Sequence, residues 1–206
     1  GLGFIGGGYI ACNVTGARPI LFHPVPPGTP RWGLGWKQAV ARHYNSTTSV
    51  GCHGSSMATR TNYLSLDPTY RDAFGRPLLR LTFDFPDNDL RMSRHVNDVA
   101  ERIARDMARR HGGTVHRSDT SDTYSISPYQ TTHNTGGAIM GATPHDSVVN
   151  KYLQSWDVPT LFVQGACVFP QNAGYNPTGT VGALAYHSVR ALVGQYLARP
   201  GPLVAA

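Results

Sequence analysis

The chain has 206 residues, of which 40% are hydrophobic and 15% charged, and its formal net charge is +6. This length allows one domain with a sizeable core, and this hydrophobic content excludes a chain that is disordered by composition. The 23 glycines and 15 prolines favour a loop-rich globular protein over a helical bundle. Without a run of about 18 apolar residues, the sequence predicts no membrane-spanning helix.

The opening residues GLGFIGGGYI contain the pattern G-x-G-x-x-G at Gly1, Gly3 and Gly6. In a dinucleotide-binding fold this pattern follows a strand, opens a helix and has an acidic residue about twenty positions later. Here the residues from Tyr9 to Val14 favour a strand, and no acid lies at the matching distance. The pattern therefore predicts a glycine-rich entry to a strand. A chain that starts in such a phrase is also expected to be part of a longer protein.

The first half of the chain predicts a short helix over 36–43, then a strand and turn over 47–59. The clearest strand is 79–85, where apolar and polar residues alternate, so one face of an antiparallel sheet should be buried. A helix follows, capped by Asp87 or Asn88 and ended by Gly112. Its apolar stripe consists of Val96, Val99, Ile103 and Met107.

The second half begins with a polar, irregular segment over 113–132 and then the glycine-rich phrase THNTGGAIMG. A short helix is predicted over 145–156 and a short apolar strand over 159–163. The last helix should start with Asn176 as N-cap and Pro177 at its first position. Its apolar stripe consists of Val181, Leu184, Ala185, Val189, Leu192 and Val193.

The positive charges are scattered along the chain, and their densest set lies on the predicted helix between positions 87 and 112. A basic chain can bind nucleic acid, an anionic membrane surface or an acidic protein. Because the arginines of this helix alternate with acidic residues, the pattern favours a solvated helix face over a docking surface. We therefore expect no nucleic-acid partner.

The cysteines and histidines form no recognisable motif. Cys12, Cys52 and Cys167 lie far apart, and the chain has neither C-x-x-C nor H-E-x-x-H. Cys52 and His53 are neighbours on a predicted strand, so their side chains should point to opposite faces and not pair as nucleophile and base. We expect no metal site and no disulfide framework.

The carboxyl-terminal third places His133 in a glycine-rich turn and Asn176 at the start of a helix. A helix N-terminus offers unpaired N–H groups that suit an anion, or a ring that becomes anionic. A histidine opposite such a site can act as a base on an alcohol. From the pattern alone, a structural histidine and a catalytic one both stay open.

The same stretch resembles the carboxyl-terminal part of the glucose–methanol–choline (GMC) oxidoreductases, which are FAD enzymes that oxidise alcohols. The resemblance rests on THNTGGAIMG and on PTLFVQGACVFPQNAGYNPTGTVGALAYHSV. PPGTPRWG and HGSSMATRTNYLSLDPTYRDAFGRPLLRLTFDF are similar to the branch that contains the flavoprotein subunits of bacterial gluconate, fructose, sorbitol and glucose dehydrogenases. In this branch the resemblance covers nearly the whole chain.

The resemblance implies roles for particular residues. His133 matches the family's catalytic base, and Asn176 matches its hydrogen-bonding partner. The residues expected to contact FAD are Asn134, Gly165, Ala166, Pro177, Thr178 and Gly179. Pro177 has no N–H, so Thr178 and Gly179 would supply the backbone donors. At Gly165 the chain departs from many family members, which have an aspartate there.

The resemblance also implies an α+β fold of two parts. Residues 1–132 would form a substrate-binding domain, an antiparallel sheet with helices on one face. This sheet would contain residues 79–85, with the helix that follows them packed on it. Residues 133–206 would form a catalytic loop with the closing strand and helix of an FAD-binding domain. The resemblance implies that the complete enzyme has an amino-terminal FAD domain, which is missing here, and oxidises a sugar or polyol. Its possible partners are cytochrome c and small subunits. It would be periplasmic or membrane-associated, and a cytoplasmic location stays open.

Such a fragment should be inactive alone and should self-associate through the face exposed by the missing domain. Two other interpretations stay open at the sequence level. One is a non-catalytic basic module that binds a protein, and the other is a stand-alone NAD-binding domain.

Overall fold

A computed structural model describes residues 1–14, 25–117, 124–125 and 132–205. Three α-helices run through these parts: α1 (Gly33–His43), α2 (Asp87–His111) and α3 (Thr178–Ala191). A π-helical turn at Leu192–Tyr196 continues α3. The prediction for α1 is confirmed, with a start three residues earlier than expected. Of the segment predicted to be irregular, residues 113–117 contain neither helix nor strand, while 118–123 and 126–131 lie outside the described residues.

The strands pair into small antiparallel sheets, which confirms a mixed helix and strand fold. The strands are β1 (Gly8–Val14), β2 (Thr48–Gly54), β3 (Ser56–Met57), β4 (Tyr63–Arg71), β5 (Pro77–Thr82) and β6 (Gln171–Asn172). Within the described residues they form three two-stranded sheets, β1–β2, β3–β6 and β4–β5. Because β3 pairs with β6, the first half of the chain is joined to the carboxyl-terminal part.

The opening glycines lead into β1, as predicted. Their backbone packs against Ser55, the residue that follows β2. Gly7 N–H donates to Ser55 Oγ at 3.0 Å, and Ser55 N–H donates to the Gly7 carbonyl at 2.7 Å. A Cβ on Gly6 would overlap Ser55 Oγ, and one on Gly8 would overlap the His53 carbonyl. These glycines therefore allow two chain segments to approach closely. They precede a strand where the dinucleotide pattern requires a helix.

Helix α2 begins differently from the prediction. Its N-cap is Pro86, and no side chain caps the helix. Asn88 instead accepts from the Ile5 N–H at 2.9 Å and donates to the Ile5 carbonyl at 3.1 Å, so its side chain is used by the opening segment. The predicted end is confirmed, since Gly112 has φ +68° and its N–H donates to the Ala108 carbonyl.

Helix α2 packs on β2, and the prediction that it covers the sheet containing residues 79–85 is wrong. Within α2, Met92 and Ala100 are buried, Val96 and Val99 are half-buried, and Ile103 is partly exposed. On its outer face the arginines pair with acids of the same helix, including Arg91 with Asp87, Arg105 with Glu101, and Arg109 and Arg110 with Asp106. Those pairs match the predicted solvated face.

The β4–β5 hairpin exposes the face that alternation predicts to be buried. Leu64 lies opposite Leu81, and Leu66 lies opposite Leu79. These four side chains are 52–68% exposed, whereas Ser65 on the other face is half-buried. The strand prediction is thus confirmed for residues 79–82, but the prediction that the apolar face of this strand is buried is wrong.

No helix forms over 145–156, because side chains bind the backbone in competition with helical hydrogen bonds. Asn150 Oδ1 accepts from the Tyr152 N–H at 2.9 Å, and Leu153 has φ +62°, which ends any right-handed turn. The predicted strand over 159–163 is also wrong, since it contributes an isolated bridge between Phe162 and Gln154.

The hydrophobic core described in the carboxyl-terminal part lies beneath α3. It contains Val149, Leu153, Val168 and Phe169, with Val181 and Leu184 of α3 packed against it. The predicted stripe of α3 is confirmed at these two positions but not at Val189 and Val193, which are exposed. In the described part of the chain, no helix combines the length and apolar character needed to cross a bilayer.

Candidate active site

His133 is the second residue of the glycine-rich phrase THNTGGAIMG and is half-buried. Its carbonyl accepts from Asn172 Nδ2 at 3.0 Å. Its imidazole lies edge-on to that of His53, with 5.8 Å between the ring centroids. The hydrogen bond from Asn172 therefore holds the loop through a main-chain atom of His133.

The glycine-rich phrase runs beside a short 3₁₀ turn at Ala166–Val168. Gly136 N–H donates to the Ala166 carbonyl at 3.3 Å, and Met140 N–H donates to the Val168 carbonyl at 2.8 Å. The predicted cofactor residues Gly165 and Ala166 are therefore held next to the part of this phrase that follows His133 and the exposed Asn134. Gly165 has φ +116°, a conformation that explains a glycine where an aspartate would be strained.

Asn172 is 9% exposed and connects the two predicted catalytic segments. Besides its bond to His133, its Oδ1 accepts from the Gly174 N–H at 3.2 Å. Gly174 in turn lies so close to Ser55 and Gly7 that a Cβ there would be 2.8 Å from the Ser55 nitrogen. The turn leading to Asn176 is thus held against β1, β2 and the His133 loop.

The start of α3 differs by one residue from the prediction. Pro177 is the N-cap, the helix begins at Thr178, and the first helical hydrogen bond runs from the Val181 N–H to the Pro177 carbonyl at 3.0 Å. Asn176 precedes the cap and is exposed, and no side chain caps the helix. The prediction that Asn176 caps α3 is therefore wrong, and its amide is available for another role.

The first turn of α3 presents uncapped backbone donors. The first N–H groups of a helix lack intrahelical partners. Thr178 and Gly179 are exposed, and open space surrounds the position of a Cβ on Gly179. These uncapped N–H donors at an open surface can hydrogen-bond an anion or a polar ring edge.

A group of rings next to His133 has no counterpart in the sequence prediction. His53 lies opposite Tyr9 in the β1–β2 register, with 5.0 Å between the ring centroids. Tyr175 precedes Asn176, and its ring centroid lies 4.9 Å from that of Tyr9. We call Tyr9, His53 and Tyr175 the ring cluster. Tyr175 could have been suspected from its position beside Asn176, but the Tyr9–His53 pair depends on a register between distant segments.

On the other face of β2, Cys52 lies against helix α2. Cys52 Sγ lies 3.7 Å from Asn97 Oδ1 of α2, and burial raises the pKa of the Cys52 thiol. Cys52 and His53 therefore point to opposite faces, as predicted. Among the described residues there is no group of three or more metal-binding side chains.

A family model described as GMC oxidoreductase matches residues 58–185, which include the glycine-rich phrase, the 3₁₀ turn and the start of α3. The chain belongs to the GMC oxidoreductases, a family of flavin-dependent enzymes.

Over 206 residues the chain is 50% identical to the gluconate 2-dehydrogenase flavoprotein of Pantoea cypripedii, covering 99% of this chain and 33% of that protein. It is 34% identical to the 2-methyl-1,2-propanediol dehydrogenase of Mycolicibacterium austroafricanum, over 82% of this chain and 28% of that enzyme. The fructose dehydrogenase large subunit of Gluconobacter japonicus is 31% identical, over 64% of this chain and 22% of the subunit. The chain thus spans about a third or less of the length of these relatives.

Proposed function

We propose that this chain supplies the base and the substrate-orienting groups of an FAD-dependent dehydrogenase that oxidises the CH–OH group of a sugar, polyol or aldonate. The observation that carries the proposal is the placement of His133 and Asn176. The buried Asn172 amide binds the backbone of the His133 loop and the turn that leads to Asn176. Relatives named for gluconate and fructose support this substrate class.

In this proposal the His133 imidazole accepts the proton of the substrate hydroxyl. A neutral imidazole is the protonation state that such a base requires. The Asn176 amide donates a hydrogen bond to the same oxygen and orients the C–H bond that is broken. Because Asn176 is exposed and does not cap α3, its amide can make this contact without breaking a structural one.

FAD, when bound, supplies the acceptor for the two electrons that leave the C–H bond. Asn134, Gly165 and Ala166 would contact the cofactor from the glycine-rich side. The Thr178 and Gly179 N–H groups would face its polar ring edge, while Pro177 contributes no donor. Positive φ at Gly165 and the uncapped start of α3 support this assignment.

The proposal treats the chain as the carboxyl-terminal part of a longer flavoprotein. We propose that residues 1–132 belong to the substrate domain and residues 133–206 to the catalytic loop and the end of an FAD domain. Because the relatives are about three times as long, the chain alone should be inactive. A cytochrome c subunit would take the electrons, in a periplasmic or membrane-associated complex.

The first prediction is that His133→Ala removes turnover while FAD stays bound. It is tested in the longer flavoprotein that contains this sequence, with gluconate as donor and a redox dye as acceptor. Turnover should fall by about 10²–10⁴-fold, the usual contribution of a general base. The flavin absorbance should stay, because Asn172 binds the His133 backbone and not its side chain.

The matched control is His145→Ala, which removes an exposed imidazole outside this site. It should keep normal turnover. Near-normal turnover in His133→Ala would contradict the role of His133 as base. If gluconate, fructose and 2-methyl-1,2-propanediol all fail to reduce the wild-type flavin, the proposed function itself is wrong.

A further inference from the structure

The ring cluster beside His133 exposes polar groups that the described protein does not use. Tyr175 is 60% exposed, His53 is exposed and Tyr9 is half-buried, so these rings do not fill a core. Their contacts with described residues are ring contacts, and neither the imidazole nor the two phenols hydrogen-bond to another described side chain or backbone group. Three hydrogen-bonding groups are therefore available at the surface next to His133.

The backbone beneath the ring cluster is held rigidly. Gly8 lies under the His53 carbonyl, and Gly174 lies against Ser55 and the Gly7 carbonyl, where no Cβ fits. These contacts fix the positions of Tyr9 and His53, on paired strands, relative to Tyr175 on the turn before α3. Groups that are fixed and yet exposed can bind a ligand without an ordering cost.

The chemistry of the cluster suits a polyhydroxylated ligand. Tyrosine rings pack against the C–H faces of a sugar chain, while phenol and imidazole groups hydrogen-bond its hydroxyls in either direction. The cluster contacts His133 through His53, with 5.8 Å between their ring centroids. A substrate whose reacting hydroxyl meets His133 would therefore bring its next hydroxyls to His53 and the tyrosines.

We propose that Tyr9, His53 and Tyr175 form the substrate-contact wall that selects sugar acids and polyols over short alcohols. In this wall, His53 hydrogen-bonds a hydroxyl or carboxylate beyond the reacting carbon, and the tyrosines cover the carbon chain. The inference rests on the proposed function, since it takes His133 as the base. It assigns to His53 the recognition of the substrate and no part in the chemical step.

The test uses the longer flavoprotein and follows the bleaching of its flavin by substrate in the absence of oxygen. This measurement separates the half-saturating concentration from the limiting rate of reduction. His53→Phe keeps a ring beside Tyr9 but removes the hydrogen bond. With gluconate we expect the half-saturating concentration to rise about tenfold, the effect of losing one hydrogen bond, and the limiting rate to stay within about threefold.

Two further comparisons distinguish substrate recognition from a structural role. His53→Gln retains an amide donor and should recover part of the affinity for gluconate, although it loses the ring. With 2-methyl-1,2-propanediol, which has few groups to reach the wall, His53→Phe should match the wild type. His145→Gln is the matched control and should leave both parameters unchanged.

The outcomes separate the two proposals. If the wild-type flavin is reduced but His53→Phe leaves the half-saturating concentration for gluconate unchanged, the wall is wrong and the proposed function stands. Equal losses with the long and short substrates would also overturn the wall, because they indicate general damage to the site. If gluconate, fructose and 2-methyl-1,2-propanediol all fail to reduce the wild-type flavin, the proposed function is wrong, and the substrate-contact wall is wrong with it.

Discussion

Gly174 shows how a single residue determines the geometry of the site. It has φ +74°, and a Cβ there would lie 2.8 Å from the Ser55 nitrogen and 3.0 Å from the Gly7 carbonyl oxygen. Both neighbours are backbone atoms and cannot rotate away. A side chain at this position would have to separate the turn before α3 from the opening segment and the residues after β2.

We therefore predict that Gly174→Ala destabilises the chain by about 2–4 kcal/mol, from the positive φ and the backbone overlap together. The measurement is the free energy of unfolding in urea. Gly182→Ala is the control, since Gly182 lies in α3 with nothing within 4 Å of an added Cβ. It should stabilise the chain by about 0.5–1 kcal/mol. Equal stability of the two variants would show that the close approach does not form.

The middle of helix α2 is connected by ion pairs to the segment that follows the helix. Arg117 Nη1 donates to Glu101 Oε2 at 2.7 Å and to Asp98 Oδ1 at 2.8 Å, and Arg105 Nε donates to Glu101 Oε1 at 2.8 Å. The Arg117 and Arg105 guanidinium groups lower the pKa of Glu101 below its ordinary value. Glu101 is thus the acid on which these basic groups converge.

A group whose pKa is lower in the folded state stabilises the fold above its unfolded pKa, and this contribution is lost as pH falls through the folded pKa. We predict that Glu101→Gln lowers the urea midpoint at pH 7 and that the difference from wild type shrinks as pH falls below about 4.3. Asp157→Asn is the control, because Asp157 forms no ion pair with the described residues. A difference that is constant with pH would contradict this account.

The elements predicted correctly are those determined by neighbouring residues. Gly112 ends α2, apolar spacing gives α3, and alternation gives β5, because each signal acts within a few positions. The helix predicted over 145–156 fails since Asn150 binds the backbone at Tyr152, and propensity does not capture that competition. The pairing of Tyr9 with His53 lies beyond sequence reasoning, because it depends on the register between strands about forty residues apart.

The residues of the site divide in the same way, into those that neighbouring residues identify and those that only the fold identifies. His133 and Asn176 were predicted from a resemblance that covers their sequence surroundings, and their roles stay predictions. Asn172 was missed although it lies in the same phrase, because a buried amide that joins two loops is defined by its partners. For the same reason, burial of the hairpin could not be inferred from alternation: a period of two identifies the apolar face but not what covers it.

At the scale of the whole molecule, the β4–β5 hairpin exposes its apolar face to solvent. A sheet that packs on a hydrophobic core buries that face instead. Leu66 and Leu79 lie opposite each other and are 66% and 68% exposed, whereas Ser65 on the other face is half-buried. An exposed apolar face of this kind is an interaction surface. In the longer flavoprotein proposed above, other parts of the subunit would cover it. In the isolated chain, we expect a second copy to do so.

We therefore predict that the isolated chain self-associates, with a sedimentation coefficient that rises between micromolar and sub-millimolar concentrations. Leu66→Glu with Leu79→Lys should keep it monomeric, because the opposed charges preserve the hairpin as a cross-strand pair while placing two charges on its apolar face. Val193→Lys, which removes an exposed apolar side chain after α3, should associate like the wild type. Association that persists in the double variant would mean that a surface other than the Leu66–Leu79 pair mediates it.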